Sequence, residues 1–208
     1  MEIVVIVVAY LLGSIPTSVW VGKRFYGIDI REHGSKNAGA TNTIRVLGWK
    51  AGLPVFIIDG LKGSISASLV LFTSLIPGTN NYVAFQLVLG FAALLGHIFP
   101  IFAKFKGGKG VATLLGVVIA ISPIPALLCF VIFVIVLLLF KYVSVGSVIA
   151  GICYPLMIFF IFTGEPVSLK IASIVMSVAL IITHKKNIKR LINGEESKAS
   201  FLFKAKQG

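Results

Sequence analysis

Two polar stretches interrupt an otherwise apolar chain, and both carry the residue types that bind phosphate. Residues 103–113 read AKFKGGKGVAT, with Lys104, Lys106 and Lys109 set around Gly107, Gly108 and Gly110 directly before an apolar helical run. A helix N-terminus presents unpaired N–H groups and partial positive charge, so an anion such as phosphate is the expected guest. Residues 27–48 read GIDIREHGSKNAGATNTIRVLG. Here Gly34 and Gly39 let the backbone turn, and Ser35, Asn37, Ala40, Thr41 and Asn42 offer a run of small donors. Arg45 adds a planar, bidentate cation to them. The lysine–glycine stretch is not a nucleotide-hydrolysing phosphate loop. That pattern needs Gly at position 103, which is Ala, and Ser or Thr at position 110, which is Gly.

Further polar groups are predicted to reach the same face. Ser144 lies in KYVSVGS, and His184 and Asn187 are three residues apart, which puts them on one side of a helix. His97 in GHIFP precedes the lysine–glycine stretch and is placed to orient it by a hydrogen bond. Asp59 and Lys62 lie inside an apolar run at the same i,i+3 spacing. Charges in a membrane are unfavourable unless paired, so a mutual pair facing the bundle is expected, with a proton or ion path as the alternative. No Ser–His–Asp set is suggested, and the residues five positions after His33, His97 and His184 are Ala38, Phe102 and Lys189 rather than Asp. No metal-ligating cluster is suggested either, and no cofactor is expected. Chemistry at this face would rest on anion stabilisation rather than on a strong protein base.

These segments need elements to carry them, and composition says which. Of the 208 residues, 57% are hydrophobic and 12% charged, with a mean hydropathy of +1.01. A soluble domain of this length has too few interior positions to bury so much apolar surface, so the expected class is an all-α integral membrane protein. Apolar runs fall at roughly 2–22, 52–76, 82–103, 110–122, 126–140, 143–163 and 167–183. Most approach the ~20 residues that span a bilayer, whereas 110–122 is short and ends at Pro123. Loops after the first, third, fifth and seventh runs are basic, and those between them are nearly neutral. Seven transmembrane helices with the N-terminus outside, the C-terminus cytoplasmic and the fourth helix short satisfy that alternation. Residues 1–190 are predicted to form a single polytopic domain, and 191–208 a basic, polar, flexible cytoplasmic tail. MEIVVIVVAYLLGSIP has no basic start and no small-residue cleavage site, and is read as the first transmembrane helix.

The 19 Lys and Arg against 7 Asp and Glu give +12, which in a soluble protein suggests nucleic acid. Here the cations lie mainly in loops and tail, so orientation in the membrane accounts for most of them and no nucleic-acid partner is expected. Cys129 and Cys153 both fall in apolar runs and are read as small buried hydrophobes. No period of 20–50 residues recurs, which argues against a repeat-built transporter. An anion carrier or channel nevertheless remains the alternative function. It would place its site near the bilayer midplane, whereas the candidate residues gather at one face.

Three segments, GSIPTSVWVGK (13–23), GSKNAGATNTIR (34–45) and GHIFPIFAKFKGGKGVAT (96–113), resemble the signature segments of the bacterial acyl-phosphate glycerol-3-phosphate acyltransferase (PlsY) family. The resemblance continues through HKKNIKRLINGEE (184–196). It implies a seven-helix enzyme of the bacterial cytoplasmic (inner) membrane with its active site at the cytoplasmic face. Such an enzyme moves a fatty acyl group from acyl phosphate to the 1-hydroxyl of glycerol 3-phosphate, giving lysophosphatidic acid and phosphate. Its substrates and the surrounding lipid are its expected partners, with no obligate protein partner. The resemblance carries function onto Ser35, Asn37, Gly39, Thr41 and Arg45, onto Lys104 and the Gly107–Gly110 loop, and onto Ser144, His184 and Asn187. Two positions depart from the pattern: Lys36 and Ser18 stand where the family usually has Gly. On this reading the 107–110 loop and the 39–42 turn cradle the acyl phosphate. Arg45, Lys104 and Ser35 hold the glycerol phosphate, aided by His184 and Asn187. Either His184 or the substrate's own phosphate takes the hydroxyl proton.

Overall fold

The structure, a computed structural model, describes residues 1–200, and all regular structure among them is helical. Residues 201–208, the end of the expected tail, lie outside the described residues. The first apolar run is two helices rather than one, α1 (Glu2–Gly13) and α2 (Thr17–Tyr26), bent by 42°. Pro16 lies in the break, where its missing N–H and fixed φ interrupt the helical ladder. Next come α3 (Ala40–Leu47), α4 (Trp49–Ser68) and α5 (Asn80–Ile98). The short α6 (Val111–Ile121), then α7 (Pro123–Phe140), α8 (Val143–Phe160), α9 (Val167–Thr183) and α10 (Lys185–Ile192) complete the chain.

By length and composition, four helical segments among the described residues can each cross a membrane: α4, α5, α7 and α8, the first two extended by 3-10 turns. Counting each bent pair, α1–α2 and α9–α10, as one span raises the number to six. The seventh apolar helix of the expected set is α6, whose 11 residues at about 1.5 Å each fall well short of a ~30 Å hydrocarbon core. The outward faces are apolar, as lipid contact requires: Ile57, Leu61 and Ile65 on α4 and Leu127, Leu138 and Leu139 on α7 are all exposed.

Backbone-close packing sets the short helix in place. A Cβ built on Gly116 of α6 would stand 1.9 Å from the Gly60 carbonyl oxygen of α4. One on Gly63 of α4 would stand 2.1 Å from the Thr113 oxygen. Without a hydrophobic drive between helices in lipid, such small-residue contacts are what let two backbones approach and gain dispersion energy. The main core cluster then joins α5, α6, α8 and α9 through Leu94, Val117, Ile158 and Leu169. Because α6 is pinned against α4, its N-terminus, and the lysine–glycine segment before it, has a fixed position.

The second half of the glycine-rich stretch 27–48 is α3, so the expected 39–42 turn is its N-cap Gly39 and first helical residues. At the other end, α10 runs to Ile192, and Ala199 N–H donates to Lys141 O at 2.6 Å.

Candidate active site

A polar cavity of about 530 Å³ collects residues far apart in sequence. From the second segment and α3 come Ser35, Lys36, Asn37, Gly39, Ala40, Thr41, Asn42 and Arg45. Lys109, Gly110 and Val111 come from the start of α6, and Ser144 and Ser147 from α8. His184, Asn187 and Arg190 come from the α9–α10 bend, with Glu196 from the segment after it. Ser35, Arg45, Ser144, His184 and Asn187 therefore meet in one place. Lys104 and Lys106 are exposed and stand outside the cavity wall.

Each segment reaches the site for a local reason. At the start of α3, Gly39 is the extended N-cap and the first N–H groups of the helix have no carbonyl within it to bond, leaving an electropositive end at the cavity. Asn42 builds this end rather than binding a guest with its side chain. Its Oδ1 accepts from Ser35 N–H at 2.8 Å, and its Nδ2 donates to Ile30 O and His33 O, both at 3.0 Å. Lys36 stands at φ +59°, the left-handed conformation that glycine takes most readily, so this chain keeps the turn despite the lysine.

The lysine–glycine segment works differently from the sequence reading. Gly107 N–H donates to Ile98 O and Gly108 N–H to His97 O, both at 3.2 Å, so neither donor is offered to an anion. These glycines serve close approach instead. A Cβ on Gly107 would lie 2.0 Å from His97 O, and one on Gly108 2.3 Å from His97 Nε2 and 2.4 Å from Ala38 O. The segment thereby folds onto the end of α5 and delivers Lys109 and Gly110 to the cavity. Outside the cavity Arg31 clamps the same segment, donating through Nη1 to Ala103 O at 3.0 Å and Lys106 O at 3.3 Å. Asp29 holds that guanidinium bidentately at 2.9 and 2.7 Å, and the Arg31 hydrogen bonds keep the Asp29 carboxyl well below the usual range.

One functional group escaped the sequence reading. Glu196 falls within the stretch 191–208 expected to be a flexible tail, yet its carboxylate accepts from Ser144 Oγ at 2.8 Å, Asn187 Nδ2 at 2.6 Å and Arg190 Nε at 2.8 Å. Burial alone would raise its pKa, but those three donors together hold it lowered. The other end of the Asn187 amide accepts from Lys109 Nζ, tying the segment before α6 to α10. No local signal marks Glu196, since its partners lie on α8 and α10 as folded.

The remaining cations and bases follow from burial. Burial lowers the Lys109 ammonium to about 8, against the opposing pull of Glu196. His184 sits at the bend just past the α9 span, where burial and then the Lys109 charge bring it down to about 4. Its Nδ1–H donates to Leu180 O at 2.8 Å, which leaves Nε2 as the acceptor nitrogen of a neutral ring.

An apolar groove of about 110 Å³ adjoins the polar cavity and shares Phe56, Val111, Phe133 and Ser147 with it. It runs between α6, α7, α8 and α9, past Leu114, Val118, Cys129 and Tyr154. The arrangement can hold an anionic head among donors and cations with an attached hydrocarbon chain beside it.

Residues 3–194 match the family model described as glycerol-3-phosphate acyltransferase. The chain is 45% identical to the glycerol-3-phosphate acyltransferase of Chlorobaculum tepidum, with 95% of this chain and 96% of that one covered. It is 44% identical to that of Chlorobaculum parvum at the same coverage. Among solved structures it resembles crystal structures of PlsY, an integral membrane glycerol 3-phosphate acyltransferase. The glycerol 3-phosphate form matches with a TM-score of 0.86 at 39% identity, covering 98% of this chain and 99% of that one. The lysophosphatidic acid form gives a TM-score of 0.84 at the same identity and coverage. The chain belongs to the glycerol-3-phosphate acyltransferase family of integral membrane enzymes.

Proposed function

We propose that the acyl donor of this glycerol-3-phosphate acyltransferase is an acyl phosphate, and that the products are lysophosphatidic acid and inorganic phosphate. The observation that carries this reading is the junction of the polar cavity with the apolar groove at Phe56, Val111, Phe133 and Ser147. An acyl phosphate places its phosphate on one side of such a junction, its carbonyl at it and its chain in the groove. The cations at hand, Arg45, Lys109 and Arg190, suit two phosphates brought close together.

In this mechanism the N-terminus of α3, Ser35, Asn37 and Arg45 hold one phosphate, and Lys109 with the N–H groups at the start of α6 holds the other. Ser144 and Asn187 act through Glu196, which they and Arg190 bind. Lys104 and Lys106, on the exposed side, attract anionic substrate to the entrance. The glycerol 1-hydroxyl attacks the acyl carbonyl carbon, the new C–O bond forms, and the bond from that carbon to the bridging phosphate oxygen breaks. Phosphate leaves with the electron pair and takes the hydroxyl proton on one of its oxygens. Neutral His184, with its lowered pKa, accepts at Nε2 from the glycerol 2-hydroxyl and so orients the substrate, leaving the 1-hydroxyl proton to the phosphate. Holding two charged partners in reacting geometry supplies several kcal/mol of the barrier reduction.

The same reading places the enzyme in the bacterial cytoplasmic membrane with α6 as the short fourth of seven spans, the N-terminus outside and the cavity on the cytoplasmic side. The basic loops support that orientation. The test is phosphate release by purified protein in detergent given palmitoyl phosphate, with and without glycerol 3-phosphate. Release that needs glycerol 3-phosphate supports the reading. Silence with palmitoyl phosphate, alongside turnover with acyl-CoA or acyl carrier protein, overturns it.

A further inference from the structure

An ionisable cluster lies buried inside the bundle, directly beneath the lysine–glycine segment. Asp59, Lys62 and His97 have exposures of 2%, 4% and 7%, and Thr17 and Thr113 are buried with them. Lys62 Nζ stands 2.8 Å from Asp59 Oδ1, and Thr17 Oγ1 donates to the same oxygen at 3.0 Å. His97 Nδ1 is 3.9 Å from that oxygen and 3.2 Å from Thr113 Oγ1. Lys62 also donates to Ile15 O at 3.0 Å, in the break between α1 and α2.

A buried ion pair is seldom the most stable way to fill a helix interface, because well-packed apolar residues do as well without removing two charges from water. Its retention calls for a further role, and its bonds indicate one. They converge on Asp59 Oδ1, which faces His97 Nδ1 at 3.9 Å, while Thr113 Oγ1 hydrogen-bonds that same nitrogen, and His97 supports the segment that delivers Lys109. Gly107 and Gly108 donate to Ile98 O and His97 O, and the space a Gly108 Cβ would need is taken by His97 Nε2. Thr113, on the ring's other side, belongs to the first turn of α6. Asp59 and His97 are also part of the cavity wall. A tilt of the imidazole would therefore move the segment and the start of α6 together.

We propose that Asp59 and Lys62 are positioning residues for phosphate binding: with Thr113 they fix the His97 ring, and the ring fixes the Gly107–Gly110 segment. The proposal rests on the acyltransferase reading above for its assay but makes a separate claim. Phosphate held in a displaced segment binds weakly in ground and transition states alike, so the effect falls on KM for the substrate whose phosphate the segment holds, glycerol 3-phosphate or the acyl phosphate, more than on kcat.

The test uses the full chain in detergent, with palmitoyl phosphate and glycerol 3-phosphate. The Asp59→Asn/Lys62→Met pair removes both charges together and leaves no unpaired ion. Thr113→Val removes only the hydroxyl that touches His97. Each is expected to raise KM for one of the two substrates, the same one in both, about tenfold or more with kcat within about threefold of wild type. Equilibrium binding of glycerol 3-phosphate and of palmitoyl phosphate should show the same substrate weakened by that factor. Combining the sets should be no worse than the worse one alone, because they act through one ring. Folded variants with wild-type KM, or a kcat loss with KM unchanged, overturn the proposal. If the charge-free pair does not fold, Thr113→Val decides alone. Inactive wild-type protein refutes the acyl-phosphate reading instead, and the binding measurement then tests the positioning by itself.

Discussion

Lys109 offers a test in which pH is the perturbation. Its ammonium is drawn into the cavity, where burial brings its pKa to about 8. A lysine lowered in this way is mostly charged below that value and loses its charge as pH rises through it. From about pH 7 to about pH 9 the charged fraction falls from roughly nine-tenths to one-tenth, a factor of about nine or about 1.3 kcal/mol. If that charge holds a substrate phosphate, KM for glycerol 3-phosphate or for the acyl phosphate rises by about that factor over the interval. Lys109→Arg keeps a cation at every accessible pH and should flatten the rise, even if its longer, planar head weakens binding uniformly. The assay is initial-rate phosphate release across that range, with saturation curves for each substrate in turn. An unchanged rise in Lys109→Arg, or flat KM values in the wild type, would refute the placement of a phosphate on Lys109.

Three other outcomes follow from the same structure. His184→Gln keeps a polar side chain without an ionisable ring and should cost less than about 10³-fold in kcat, with an unchanged pH–rate profile between pH 5 and 8; a larger loss or a vanished inflection would establish His184 as the base. Lys36→Gly should raise thermal stability by about 0.5–1 kcal/mol, since the left-handed φ of +59° disfavours lysine by more than glycine loses in chain entropy; a lower unfolding temperature would count against that geometry. Gly116→Ala should leave no monodisperse folded protein on gel filtration, because its Cβ would meet the Gly60 oxygen at 1.9 Å with backbone on both sides.

Composition and local pattern alone establish the class of protein and mark two of the segments that line its polar cavity. Hydropathy is a sum over local residues, and the bilayer demands that backbone groups be satisfied within each segment, so the apolar helices are legible without knowing what they touch. The Ser35–Arg45 stretch and the Lys109–Gly110 end of the lysine–glycine segment were legible as polar segments too, because their small, basic and amide residues stand close together in the chain. Tertiary structure decided the rest. Whether an N–H faces a ligand depends on where another helix ends, and α5 ends where it takes the donors of Gly107 and Gly108. The same is true of Glu196, an unremarkable tail acid until the α9–α10 bend sets it against Ser144, Asn187 and Arg190. The Asp59–Lys62 pair is readable from its i,i+3 spacing, but its link to His97 and Thr113 exists only where α4, α5 and α6 pack together. Partners across space are set by how helices pack, and that packing is a property of the whole bundle rather than of any one segment.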